Sequence, residues 1–250
     1  MAAAKDSSNR GTAKARSGAS FVAEQKRRQA RQSMWWRIGI TAVVALLAVG
    51  IGVGLLVGRG GDDAPVAAPS AFTSDGALVF DAQNVPTVSI TEDFQCPACK
   101  QFEQIFGSTV DGLIDNGQAR VEFRPVAILN RMTSDDYSSR SASASACVAD
   151  ESTTAWRAFK TELFDNQPAE GGGPGLSNDR LAELAVSAGA TSPDTASCIT
   201  EERYVPWVDQ MTSDATGNGL RGTPTVTVNG EQLSDMTPAG LLAAIAAAGQ

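Results

Sequence analysis

DFQCPACK, at residues 93–100, contains Cys96 and Cys99 with two residues between them, a CxxC motif. An apolar, β-branched run at residues 85–91 precedes the motif, and apolar residues at three- and four-residue steps follow it. This pattern predicts a strand leading into a helix, with Cys96 at the helix N-cap and Pro97 at the first helical position. Free N–H groups and the helix dipole stabilise an anion there, so Cys96 is expected to form the reactive thiolate of disulfide exchange.

Charge is divided sharply along the 250-residue chain. Residues 1–59 contain 10 Lys or Arg and two acidic residues, whereas residues 60–250 contain 10 basic and 26 acidic residues. The acidic part argues against nucleic acid as a partner. The sequence has no histidine, which removes imidazole bases, Ser-His and Cys-His nucleophile pairs and the commonest metal ligand.

The N-terminal part has the pattern of a membrane anchor. Residues 1–37 predict a disordered basic tail, and residues 38–57 form a 20-residue uncharged run that is long enough to cross a bilayer as a helix. Because the basic residues precede the run, the N-terminus is expected in the cytoplasm and the acidic part outside. A cleaved signal peptide is the alternative, although its nearest cleavage sequence, residues 66–68, lies far downstream. Either arrangement puts the cysteines in an oxidising compartment.

The pattern of residues 58–250 predicts a linker followed by one folded domain. Residues 58–74, mostly Gly, Ala, Pro and Asp, predict a flexible linker, and the domain is expected over 75–250. Its first half predicts a short strand at 77–80, then a strand, the helix from Pro97 to about residue 116, and a strand at 119–127. Strand, helix and strand at this spacing indicate a βαβ unit with a parallel strand pair.

The second half predicts a helical block and then a hairpin. Residues from about 132 to 216 contain helical segments near 137–150, 152–164, 177–188 and 195–212, the last of which Pro206 is expected to kink or split. A strand at 225–228 leads into Asn229-Gly230, a strong hairpin signal, then a short strand near 231–233 and a helix over 237–248.

A CxxC pair alone leaves two chemistries open, because zinc sites use the same spacing. The other cysteines, Cys147 and Cys198, are isolated rather than paired in a second knuckle, and no histidine replaces them. The strand-to-helix setting and the exported compartment favour redox chemistry. Gly222-Thr223-Pro224 directly before the strand at 225–228 fits a cis X–Pro turn, although a plain strand-initiating proline is the alternative.

Together, residues 93–99 and 222–230 resemble the DsbA-like branch of the thioredoxin superfamily, and the element order matches over 77–250. The resemblance implies an α/β thioredoxin fold with an inserted all-helical subdomain, here preceded by the single transmembrane helix. It implies that Cys96 is the exposed nucleophile and Cys99 the buried resolving thiol of a redox disulfide. It also implies that Thr223 and cis Pro224 face them and bind extended substrate.

The resemblance further implies that Phe94 and Gln95 border the substrate groove. Two features depart from the family pattern. Ala98 replaces the histidine of the most oxidising members, so Cys96 is expected to be a milder oxidant. The buried acid that many relatives carry six residues before the first cysteine is Ile90 here, so the carboxyl group that the family uses to move protons for the resolving thiol is missing from that position.

Cys147 and Cys198 both fall in the helical insert. In an exported domain the expected arrangement is a structural disulfide, and two buried free thiols are the alternative.

The resulting hypothesis is an extracytoplasmic enzyme that introduces disulfides into exported proteins through Cys96 and Cys99, with no metal or organic cofactor. A DsbB- or VKOR-type membrane partner that reoxidises the pair is implied by the resemblance. Two alternatives stay open: a reductase or isomerase fed by a membrane electron donor, and a peptide-binding holdase without turnover.

Overall fold

The computed structural model describes residues 66–171 and 173–249. The predicted tail (1–37), the predicted transmembrane helix (38–57) and the first part of the predicted linker lie outside these residues. Among the helices that are described, none combines the length and apolar character needed to cross a bilayer.

A five-stranded mixed sheet forms the frame of the domain. Its strands run in the order β1-β3-β2-β4-β5. The bounds are β1 Leu78–Phe80, β2 Thr87–Glu92, β3 Arg120–Pro125, β4 Thr225–Val228 and β5 Glu231–Gln232. Strands β2 and β3 are parallel, as the βαβ pattern predicts, and the other neighbouring pairs are antiparallel. Strand β2 is therefore central, and its Val88 and Ile90 side chains are completely buried.

Seven α-helices complete the described part of the chain. They are α1 Pro97–Asp115, α2 Tyr137–Glu151, α3 Thr153–Asp165, α4 Asn178–Ser187, α5 Pro193–Thr200, α6 Val205–Gly217 and α7 Pro238–Ala248, with a 3₁₀ turn at Asn130–Met132. Helix α1 contacts β3, α3 and α7, and helices α2 to α6 form the inserted subdomain. Helix α2 is its centre, because its Ser- and Ala-rich residues from Tyr137 to Ala149 are all buried and let the neighbouring helices approach closely.

The last helix of the insert is split in two. The sequence predicts a segment over 195–212 that Pro206 kinks or splits; the structure does divide it, but before Pro206, because α5 ends at Thr200 and α6 begins at Val205. Glu202 lies between them with a φ of 54°, which a helix interior does not allow. Pro206 then falls in the first turn of α6, where a missing N–H is tolerated.

The folded domain begins earlier than the predicted boundary at residue 75. The Ala71 N–H donates to the Asp150 carboxylate at 2.8 Å, and the Phe72 ring packs edge-on against Trp207 with centroids 5.0 Å apart. The end of the predicted linker is therefore attached to α2 and α6, because it supplies an aromatic side chain to the core as well as a hydrogen bond.

A disulfide connects two helices of the insert. Cys147 of α2 and Cys198 of α5 are joined with an S–S distance of 1.97 Å, which is the pairing that the sequence analysis expects. Only Cys96 and Cys99 remain as free thiols, two fewer than a four-cysteine zinc site needs.

Candidate active site

Cys96 lies at the junction of strand β2 and helix α1. It is the N-cap residue of α1, with an extended backbone (φ −76°, ψ 119°), and Pro97 occupies the first turn. The Cys96 carbonyl accepts the amides of Cys99 and Lys100, each at 3.1 Å, which starts the helix. Cys96 is only 7% exposed, so it is largely buried and not the exposed thiol that the resemblance implies, because the Thr223 loop lies against its sulfur. Cys99 is completely buried, so an incoming sulfur still meets Cys96 first.

The loop before β4 faces the CxxC motif. Strand β4 pairs with β2 so that Thr225 is opposite Thr91, and this register carries residues 222–224 to the end of the sheet where Cys96 lies. The Thr223–Pro224 peptide bond is cis. The Cys96 thiol donates to the Thr223 carbonyl oxygen at 3.3 Å. The structure thus brings together Cys96, Cys99, Thr223 and Pro224, four of the predicted site residues.

The pKa values of the two thiols are shifted in opposite directions. A hydrogen bond from Cys99 is the largest of the effects that lower the pKa of Cys96 to about 5; the side chain of Thr223 and the backbone amides of Cys99 and Ala98 add to it, while burial opposes it. The pKa of Cys99 is raised far above its ordinary value, first by its hydrogen bond to Cys96 and then by burial, with a further contribution from Glu92. The pair therefore presents one thiolate nucleophile and one thiol that stays protonated.

Glu92, at the end of β2, is a buried carboxyl group near the resolving thiol. Its side chain is 1% exposed, and one carboxyl oxygen, Oε1, has no hydrogen-bond partner among the described residues. Burial raises the pKa of Glu92 to about 7, which Lys160 opposes and Glu103 reinforces. Lys160 is itself buried and forms an ion pair with Glu103. Ile90 stands at the family's acid position, and two residues further on Glu92 supplies a buried carboxyl group whose pKa is raised to about 7.

Asp93 organises the loop that leads into the motif. Its carboxylate accepts the backbone N–H of Gln95 at 2.8 Å and that of Leu129 at 2.9 Å, and its carbonyl accepts the N–H of Cys96 at 2.9 Å. The side chain is completely buried, and burial raises the pKa of Asp93 to about 6. Asp93 therefore connects residues 93–96, which we call the CxxC approach, to the segment that follows β3.

Phe94 and Gln95 do not border the substrate groove with their side chains, which corrects the sequence-based expectation. Both are completely buried. The Phe94 ring packs on Phe164 of α3 with centroids 5.3 Å apart, and Gln95 Nε2 donates to the Pro168 carbonyl at 3.1 Å. They turn inward because the inserted subdomain covers this side of β2, so they support the motif from within. Pro97 and Ala98 are the exposed residues of the motif.

Gln167 is a site residue that the sequence analysis missed. Its side-chain amide donates to the backbone carbonyls of Phe94 at 2.8 Å and of Cys96 at 3.0 Å. The residue lies 71 positions after Cys96, in the segment between α3 and α4, and no local motif in the sequence marks it. Only the packing of the insert against the CxxC approach reveals it.

Comparison with known proteins agrees with this geometry. The profile of the family described as "Thioredoxin" matches residues 81–247. Among curated proteins, no sequence match was found.

Solved structures give close matches. The oxidised DsbA of Mycobacterium tuberculosis is 39% identical, with 69% of this chain and 92% of that chain covered and a TM-score of 0.63. The reduced disulfide bond oxidoreductase DsbG from the same organism is also 39% identical, with 68% of this chain and 85% of that chain covered and a TM-score of 0.61. BdbD of Bacillus subtilis is 22% identical, with 74% of this chain and 97% of that chain covered and a TM-score of 0.58, and shares the fold.

Proposed function

The chain belongs to the thioredoxin superfamily as a DsbA-like thiol-disulfide oxidoreductase, and we propose that it acts as an oxidase that introduces disulfides into exported proteins. The observation that carries the direction is the acidity of Cys96, whose pKa is lowered to about 5. A stabilised thiolate favours the reduced enzyme, which makes the disulfide form a better oxidant. The value lies between those of thioredoxin, about 7, and the strongly oxidising DsbA, about 3.5, and agrees with a milder oxidant.

The proposed reaction has two exchanges. A substrate thiolate attacks the Cys96 sulfur of the oxidised pair, the Cys96–Cys99 bond breaks, and Cys99 leaves and takes up a proton. A second substrate thiolate then attacks the substrate sulfur of the mixed disulfide and releases Cys96 as a thiolate. Two electrons pass from substrate to enzyme, the substrate gains one disulfide, and Cys96 is a good leaving group because its thiolate is stabilised.

The reduced pair then needs an electron acceptor. We propose that a quinone-linked membrane protein of the DsbB or VKOR type reoxidises Cys96 and Cys99, and that the N-terminal run at 38–57 keeps the enzyme at the same membrane. The basic residues before this run and the acidic residues after it support a cytoplasmic N-terminus and an extracytoplasmic domain. Carbonate extraction tests the anchor: the chain should stay in the membrane pellet, and release of a shortened soluble chain would contradict it.

The reduction potential of the Cys96–Cys99 couple tests the direction. We expect a value between about −200 and −120 mV; a value near that of thioredoxin, about −270 mV, would favour a reductase or isomerase instead. Thiol trapping in cells gives an independent answer, because an oxidase should be found mostly oxidised. The Cys96→Ser variant distinguishes an enzyme, whether oxidase or reductase, from a holdase. It should abolish thiol-disulfide exchange and leave any simple peptide binding unchanged.

A further inference from the structure

The inserted subdomain is attached directly to the backbone of the nucleophile. Gln167 Nε2 donates one hydrogen bond to the Phe94 carbonyl (2.8 Å) and one to the Cys96 carbonyl (3.0 Å). In the opposite direction, Gln95 Nε2 donates to the carbonyl of Pro168 (3.1 Å). Three hydrogen bonds therefore join two adjacent residues of the insert to three consecutive residues of the CxxC approach.

Both donors of the Gln167 amide are used. A primary amide carries two N–H groups, and here each meets a different main-chain carbonyl, at alternate residues of an extended segment. Such an arrangement fixes the orientation of the peptide groups on both sides of Gln95. The backbone of Gln167 is held in turn, because its N–H donates to the Phe164 carbonyl at 3.2 Å and the Phe164 ring packs on Phe94.

The Cys96 carbonyl is an informative place for such a contact. It already accepts the amides of Cys99 and Lys100 at the start of α1, so its direction and the direction of the first helical amides are linked. The amides of Ala98 and Cys99 are among the groups that stabilise the Cys96 thiolate. A side chain that holds the Cys96 carbonyl therefore also holds the donors that face the sulfur.

We propose that Gln167 is a positioning residue for the nucleophile, through which the inserted helical subdomain keeps the Cys96 backbone oriented so that its thiolate is stabilised. The proposal rests on the proposed thiol-disulfide function but adds a residue outside both motifs. It also gives the insert a role in the chemistry of the CxxC pair, in addition to covering the sheet.

Gln167→Met is the sharpest variant, because Met has a similar length and no N–H donor. In the reduced full-length protein, the pKa of Cys96 is measured by thiolate absorbance and by alkylation rates at pH 5 and pH 7. Losing the two donors should raise the pKa of Cys96 by about half a unit to one unit, the equivalent of roughly one hydrogen bond. Alkylation should then fall about two- to fivefold at pH 5 and change little at pH 7, where the thiol is ionised in both proteins.

Asn166→Ala is the matched control. The Asn166 side chain forms hydrogen bonds with Glu162 and Arg180 and none with the CxxC approach among the described residues, so this variant perturbs the same segment without removing a hydrogen bond to the nucleophile. It should leave the titration of Cys96 unchanged. If Gln167→Met does not fold, Gln167→Leu replaces it, since Leu also lacks an N–H donor and adds no charge that would itself raise the pKa of Cys96.

The possible results distinguish a failure of the positioning role of Gln167 from a failure of the proposed thiol-disulfide function. A wild-type Cys96 that titrates like an ordinary cysteine, about pH 8.5, would overturn the proposed function itself. An acidic wild-type Cys96 with the same titration in the Gln167 variant would overturn only the positioning role. A rate loss of equal size at pH 5 and pH 7, or the same loss in Asn166→Ala, would assign Gln167 to general packing and would also refute the proposal.

Discussion

Replacing Glu92 with Gln should stabilise the protein, and more so at high pH. Glu92 is 1% exposed, and burial raises its pKa from 4.5 to about 7. A folded-state pKa above the unfolded value means that the folded protein binds the proton more tightly, so its stability falls as the pH rises. The loss of folding stability caused by ionised Glu92 is absent below about pH 4.5, grows between pH 4.5 and 7, and is complete above pH 7.

The size of this change in the free energy of unfolding follows from the pKa shift of Glu92. The difference between 4.5 and about 7 corresponds to about 3 kcal/mol of destabilisation at pH 8, and to about 1 kcal/mol at pH 5. Gln keeps the shape and carries no charge, so Glu92→Gln should recover about those amounts. Lys160 keeps its partner, because its ion pair is with Glu103.

Urea unfolding of the reduced full-length protein at pH 5 and pH 8 measures the effect. Glu170→Gln, which removes an exposed carboxylate, is the control and should change the free energy of unfolding by less than about 0.5 kcal/mol at either pH. The reasoning is wrong if Glu92→Gln is less stable than the wild type at pH 8, or if the gain is the same at both pH values. Either result would mean that other groups in the folded protein stabilise the negative charge of Glu92.

Three further predictions concern the thiols, the disulfide and the backbone. Alkylation of reduced Cys96 should be half-maximal near pH 5, because its pKa is lowered, while buried Cys99 stays unmodified at neutral pH in the folded protein; a midpoint above pH 8 would contradict this. Replacing both Cys147 and Cys198 by Ala should cost about 4 kcal/mol in chemical unfolding, the chain-entropy value for a loop of this length, and an unchanged midpoint would argue against a stabilising bridge. Gly175→Ala should lower the melting temperature, since its new Cβ would lie 2.5 Å from the Tyr137 side chain, whereas Gly112→Ala, with nothing within 4 Å, should be neutral or slightly stabilising.

Local signals in the sequence were enough to predict the main features of the fold. The βαβ unit, the helical insert, the hairpin at Asn229-Gly230 and the position of Cys96 at a helix N-cap all follow from hydrophobic period, turn residues and capping rules. These signals act over a few residues, so they can be read without knowing what packs against them. The CxxC pair and the Thr223-Pro224 turn are informative for the same reason.

Tertiary packing alone decided which side chains face the reaction. Phe94 and Gln95 stand next to Cys96 in sequence but are buried, because the insert covers that side of the central strand. Glu92 becomes a carboxyl group that titrates near neutral pH only because the fold removes it from water. Gln167 donates a hydrogen bond to the Cys96 carbonyl although the two residues are 71 positions apart in the sequence. Burial and long-range hydrogen bonds depend on the whole chain at once, so no short stretch of sequence contains them.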